Sequence, residues 1–122
     1  MSGARLHAIR GAISVTEDTS EAIRAATAEL LGELLGRNGL SPDDLVSIIF
    51  TSTADLVADF PAVAAREMGL SAVPLLCTRE IPVTGSLDRC VRVLVHCYPP
   101  PGGEIRHVYL RDARQLRMDL PE

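Results

Sequence analysis

The chain has 122 residues, a length that suits one domain, with a net charge of −4 and a pI near 5.3. That acidity, with aromatics at only 3%, excludes the basic stripe with interleaved aromatics that nucleic-acid binding needs. No apolar run is long enough to span a bilayer and the N-terminus has no signal-peptide core, so a single domain over residues 1–122, cytoplasmic and without a membrane partner, is expected.

Residues 6–15 alternate around Ile9-Arg10-Gly11-Ala12 and read as a first strand. Asp18-Thr19-Ser20-Glu21 resembles a capping box, and Ile23, Ala26, Leu30, Leu31 and Leu34 follow at helical spacing, with Thr27 the one polar residue on that face. Arg37-Asn38-Gly39 closes this helix with an αL-capable pair. Ser41-Pro42-Asp43-Asp44 makes a second, very short helical start. The apolar run 46–50, followed by Thr51-Ser52-Thr53, predicts a buried strand, and 55–59 a loop. Phe60-Pro61 leads into a helix over 62–68, stopped by Gly69. Residues 73–78 form a third strand, and 79–86 a loop broken by Pro82 and Gly85. In 90–98, Val91, Val93 and Val95 alternate strictly, so this is a fourth strand. The segment from Pro99 to Gly103 must be an exposed connection, 105–110 a fifth strand, and 111–116 a turn or short helix. The order β-α-β-α-β-β-β predicts an α+β fold, a mixed five-stranded sheet with helices packed on one face.

With 47% apolar residues and no Trp, the core must be aliphatic. Such an excess of small aliphatic side chains in a short chain suits a protein that finishes its burial against copies of itself. Cys77, Cys90 and Cys97 are odd in number, lack metal-ligand spacing and sit in or beside apolar stretches, so each reads as a reduced, buried thiol. All twelve basic residues are Arg. A Lys Schiff base, a P-loop Lys and a Lys general base are therefore excluded, and anion recognition falls to guanidinium forks.

Nucleophile elbows, His pairs at metal spacing and Gly-rich phosphate loops are all missing. His7, His96 and His107 lie far apart, each in or beside a strand, which favours structural roles. What stands out is arginine on strands. Arg10 lies inside the first and Arg92 inside the fourth, where an unpaired guanidinium is costly and needs a carboxylate or an anionic ligand. Arg92, Leu94 and His96 share the face opposite the valines, which points Arg92 to solvent, a cleft or a subunit interface; a structural salt bridge and a ligand contact are equally open. Glu80 at a strand end can bond a hydroxyl or pair with an Arg, or simply be solvated. Tyr109 and Arg117 lie near the C-terminus, Tyr109 as a candidate free phenol or a packed core residue. Several Arg, one Glu, one Tyr and no acid–base dyad describe a site that binds a multiply anionic small molecule and stabilises charge.

The segments Ile9-Arg10-Gly11-Ala12, Phe60-Pro61-Ala62, Arg66-Glu67, Val73-Pro74, Cys77, Glu80, Val83-Thr84-Gly85, Cys90-Val91-Arg92-Val93, 105–110 (Ile-Arg-His-Val-Tyr-Leu) and Leu116-Arg117 resemble, in this order from about residue 6 to 120, the monofunctional AroH-class chorismate mutases. The resemblance implies a homotrimer with a pseudo-barrel of sheets, active sites between neighbouring subunits, chorismate as substrate and no cofactor or metal. Because the reaction is a Claisen rearrangement, no nucleophile or general base is needed. By resemblance, Arg92 donates to the ether oxygen as the C–O bond breaks, and Glu80 takes the ring hydroxyl with Cys77 nearby. Arg10 and Tyr109 bind substrate carboxylate, Phe60 and Leu116 form an apolar wall alongside Ala62, and Arg66 and Arg117 help close the pocket. Two positions depart from the pattern. Val63 stands where the family often has Lys, and Leu76 where a Thr often precedes the Cys, and both bear on substrate affinity. A YjgF-like imine or enamine deaminase and a non-catalytic binder of a carboxylated metabolite are the competing readings; the motifs of the first are not evident.

Overall fold

The structure, a computed structural model, describes residues 4–117, except for the side chain of Arg117. In chain order the elements are β1 (His7–Ser14), α1 (Ser20–Arg37), a 3₁₀ turn (Pro42–Asp44), β2 (Leu45–Ser52), α2 (Ala62–Glu67), β3 (Leu75–Arg79), β4 (Cys90–Cys97), β5 (Val108–Leu110) and a 3₁₀ segment (Arg111–Arg117). The five strands form one mixed sheet in the order β3-β2-β4-β1-β5. β4 runs antiparallel to both β1 and β2, while β3 is parallel to β2 and β5 parallel to β1. This is the α+β architecture expected from the sequence.

Local chemistry accounts for the boundaries. Thr19 caps α1, its hydroxyl accepting from the Ala22 N–H at 3.1 Å, and Glu21 lies in the positive first turn. The capping box expected at 18–21 does not form as such, because Asp18 turns its carboxylate to a loop far along the chain. At the other end Gly39 alone adopts the left-handed conformation (φ 63°), and the Asn38 amide donates to the Leu34 carbonyl at 2.9 Å. The same amide brackets Arg106, donating to its carbonyl (2.9 Å) and accepting its N–H (2.8 Å).

That bracket shortens β5, which was expected over 105–110 and begins at Val108. The backbone of Arg106 is bonded to a side chain instead of a strand, and the Arg10 N–H goes to the His107 ring nitrogen Nδ1 at 3.0 Å. The third strand also starts later than the expected residue 73. Val73 closes a turn on Leu70, and Pro74 has no N–H to give the ladder, although its carbonyl accepts from Ile48.

Strand alternation sends Ile9, Ile13, Ile48, Phe50, Val91, Val93 and Val95 to one face, where Ile23, Leu30, Leu31 and Leu34 of α1 and Ala65 of α2 complete an aliphatic core. α1 approaches the sheet closely over Gly11. A Cβ there would sit 3.1 Å from Leu30 Cδ1 and Val93 Cγ2, and 3.2 Å from Leu34 Cδ1. The opposite face is covered only in part: Ala12, Cys90 and Ala113 form a small second cluster with Leu87, Tyr109 and Leu116. Gly11→Val should overpack this contact and lower stability by about 1–3 kcal/mol. Urea unfolding checks this, and an unchanged midpoint would mean that α1 does not rest on Gly11.

Candidate active site

The register places Arg92 opposite Ala12 on one side and Thr51 on the other, on the face away from α1 and α2. Its Nε lies 3.3 Å from Oε2 of Glu80. Thr51 donates its hydroxyl to that same carboxylate oxygen. Glu80 is itself fixed by its backbone, its N–H donating to the Ser52 carbonyl at 3.0 Å. The Arg92 side chain is 44% exposed and that of Glu80 22%. An ion pair this wet contributes at most about 1 kcal/mol to stability. Its consequence is geometric: Glu80, itself bonded by Thr51, orients the guanidinium on an open surface.

Arg10 pairs with Leu94 and Tyr109 with Ala12, so Arg10, Tyr109 and Arg92 share this face across β5, β1 and β4. Tyr109 and Leu116 pack on the small cluster beside Arg92's strand. The structure thus puts Arg10, Glu80, Arg92, Tyr109 and Leu116 on one side of the sheet, with Arg92 and Glu80 in contact.

Phe60, Ala62, Arg66 and Cys77 fall elsewhere. Cys77 is paired with Phe50, which puts it on the helix-covered face. There it lines a cleft of about 370 Å³ with Ser52, Leu56, Phe60, Pro61 and Arg79. Phe60 is 65% exposed at the rim, Ala62 is buried beneath it at the start of α2, and Arg66 is exposed on the last turn of that helix. Within this chain the two groups therefore lie on opposite sides of the sheet. The side chain of Arg117 lies outside the described residues.

Other reactive side chains have structural surroundings. His96 Nδ1 lies 3.1 Å from the Ser47 hydroxyl. Among the described residues, no three or more of His, Cys, Asp and Glu gather so as to hold a metal ion. Burial pushes the Cys90 thiol up to about 11, outweighing the Arg92 charge that favours its thiolate. Burial also raises that of Cys97. Both are held as neutral thiols at ordinary pH, unsuited to nucleophilic work.

Residues 6–120 match the family model for chorismate mutase type I. The chain belongs to that family. It is 54% identical to the chorismate mutase AroH of Thermus thermophilus over 114 residues, 92% of this chain and 93% of the relative. Identity to the chorismate mutase AroH of Bacillus subtilis (strain 168) is 42% over 117 residues, covering 94% and 92% of the two chains. A solved chorismate mutase from Clostridium thermocellum superposes with a TM-score of 0.86 at 48% identity, over 89% of this chain and 98% of that one.

Within this chorismate mutase fold, the residues that depart from the family pattern have distinct surroundings. Leu76 is 61% exposed on the edge strand, on the same face as Ile49 and Leu94. Thr51, which sequence reasoning passed over as the tail of a strand, supplies the hydroxyl that Glu80 receives. Only the β2–β4 register reveals it, because nothing in the local sequence links residues 51, 80 and 92. Val63, on α2, is partly buried.

Cys90 makes stability pH-dependent in the alkaline range. Its folded value of about 11 lies above the ordinary 9.0. Below that ordinary value the thiol is protonated in both states; between the two, only the unfolded chain ionises, so stability falls as pH rises. Cys90→Ala should therefore make the loss of melting temperature between pH 8 and pH 11 shallower, as scanning calorimetry can show. An unchanged slope would contradict the burial argument.

Proposed function

We propose that this chorismate mutase converts chorismate to prephenate by electrostatic stabilisation and conformer selection, without covalent or acid–base steps, in sites completed between the subunits of a cytoplasmic homotrimer. The observation that carries the proposal is the guanidinium of Arg92, oriented by Glu80 on a sheet face that no α-helix among the described residues covers. In a Claisen rearrangement the ether C–O bond breaks as a new C–C bond forms, and negative charge gathers on the ether oxygen. A fixed cation at that oxygen interacts more strongly with the transition state than with the ground state, and only that difference accelerates the step.

In this scheme Arg10 and Tyr109 take a substrate carboxylate, and Glu80 accepts the ring hydroxyl. Its bond from Thr51 leaves the second carboxylate oxygen for that purpose. Phe60 and Leu116 wall in the chair-like conformer, which removes an entropic part of the barrier. Cys77 would lie near the ring, Ala62 would seat the wall from below, and Arg66 and Arg117 would close the pocket.

The division of these residues between two faces supports sites shared between subunits. In this reading Phe60 and Cys77 of one subunit face Arg92 of a neighbour. The exposed apolar side chains of Val57 (69%), Phe60 and Leu76 mark surfaces suited to such contact. No helix among the described residues is long and apolar enough to cross a membrane.

The purified chain should deplete chorismate absorbance, and Arg92→Ala should lower turnover by at least on the order of 10²–10³. A folded Arg92→Ala protein retaining near-parent turnover would defeat the proposal. Sedimentation equilibrium should give about three times the 13.1 kDa monomer mass. If sites are shared, mixing inactive Arg92→Ala and inactive Arg66→Ala subunits should restore about a quarter of parental activity, since that fraction of interfaces pairs two intact halves. No recovery on subunit exchange would place both residues in one chain's site.

A further inference from the structure

Residues 53–61 link β2 to α2 without regular structure of their own, yet their backbone polar groups are held from both sides. Asp18, just before α1, accepts two N–H groups on one carboxylate oxygen, from Val57 at 2.9 Å and Ala58 at 3.0 Å. Across the loop, Arg79 Nη1 donates to the carbonyls of Thr53 (3.0 Å) and Leu56 (2.9 Å). Next to Phe60, the Asp59 carboxylate accepts the Ser20 hydroxyl at 2.6 Å and the Phe60 N–H at 2.7 Å, with Arg24 Nε 3.8 Å away. The Ser20 hydroxyl and the Phe60 N–H, helped by Arg24, hold Asp59 below the usual carboxylate range, so it stays ionised. Yet the side chains this stretch presents, Val57 and Phe60, are the exposed ones.

A loop whose backbone is fixed by charges while its apolar side chains face outward is a preorganised surface. Charge-assisted bonds to main-chain groups fix position whatever side chain the loop carries. We infer that Asp18 is a positioning residue for the active site: it holds the Phe60 wall at the distance and angle that select the reactive conformer, although it does not touch substrate itself. The inference rests on the reading of Phe60 given under Proposed function. Its chemistry predicts a graded series. Asp18→Ala removes the oxygen that accepts both bonds, whereas in Asp18→Asn the amide oxygen still accepts from Val57 and Ala58 without the charge.

Asp18→Ala should lower kcat/KM roughly 10- to 100-fold, the scale of an ångström-sized misplacement of a packing wall. Asp18→Asn should recover most of that loss. Trimer mass and melting temperature identify which preparations are folded, and Asp18→Asn keeps the test open if the Ala variant is not. The deciding measurement is a double-mutant cycle with Phe60→Ala. If Asp18 acts through the wall, adding Asp18→Ala or Asp18→Asn to Phe60→Ala changes kcat/KM by less than about twofold, while the stability losses remain. An undiminished drop in the Phe60→Ala background would overturn the positioning role. A Phe60→Ala enzyme as active as its parent would overturn the reading of the wall and this inference with it. Intact turnover of the parent and its loss in Arg92→Ala separate both results from failure of the chorismate mutase chemistry.

Discussion

A guanidinium inside a strand must leave the aliphatic core, and in this fold only one direction is open to it. α1 and α2 occupy one side of the sheet, so the alternation of β4 that buries Val91, Val93 and Val95 against them turns Arg92 to the other side. Everything proposed for the site depends on that single exit. Thr51 and Ala12 flank Arg92 because they are its ladder partners, and Glu80 meets it because β3 ends one strand beyond, with the Glu80 N–H on the Ser52 carbonyl. The ion pair adds little to stability at this exposure; in the proposed mechanism it would supply a cation that does not have to reorganise when charge develops.

The same geometry divides the candidate residues. Arg10, Tyr109 and Arg92 lie together because β5, β1 and β4 are neighbours, whereas Phe60 and Cys77 belong to the β2–β3 side and the helix-covered face. In the proposed mechanism, which sets a cation against an apolar wall, a second copy would supply the wall from its clamped loop between β2 and α2. The short chain and its aliphatic composition agree with burial completed between copies.

Much of the fold could be read from the sequence because its signals are local. The helical spacing of Ile23 to Leu34, the valine alternation of β4, the glycine that ends α2 and the turn chemistry at Ser41-Pro42 each specify their own element. Two of the misjudged boundaries share a cause. β5 is short because Asn38, at the end of a helix 68 residues earlier, takes the Arg106 backbone, and Asp18 does not cap because it reaches a loop 39 residues on. Such contacts leave no local trace. For the site, the strand arginines were conspicuous through the cost of burying them, and Glu80 through its place at a strand end. Thr51 was not, because a threonine at the tail of an apolar strand is ordinary until the register sets it beside a carboxylate.

The central claim is that the charge of Arg92 lowers the barrier, beyond its capacity to hydrogen-bond. Replacing Arg92 by citrulline keeps the shape and most of the donors while deleting the charge, and steady-state kinetics on that protein separates the two. The electrostatic account predicts turnover reduced by at least on the order of 10²-fold, with substrate bound only modestly less well, as expected when the lost interaction belongs to the transition state. A citrulline protein turning over at close to the parental rate would contradict it and leave conformer selection as the whole of the catalysis.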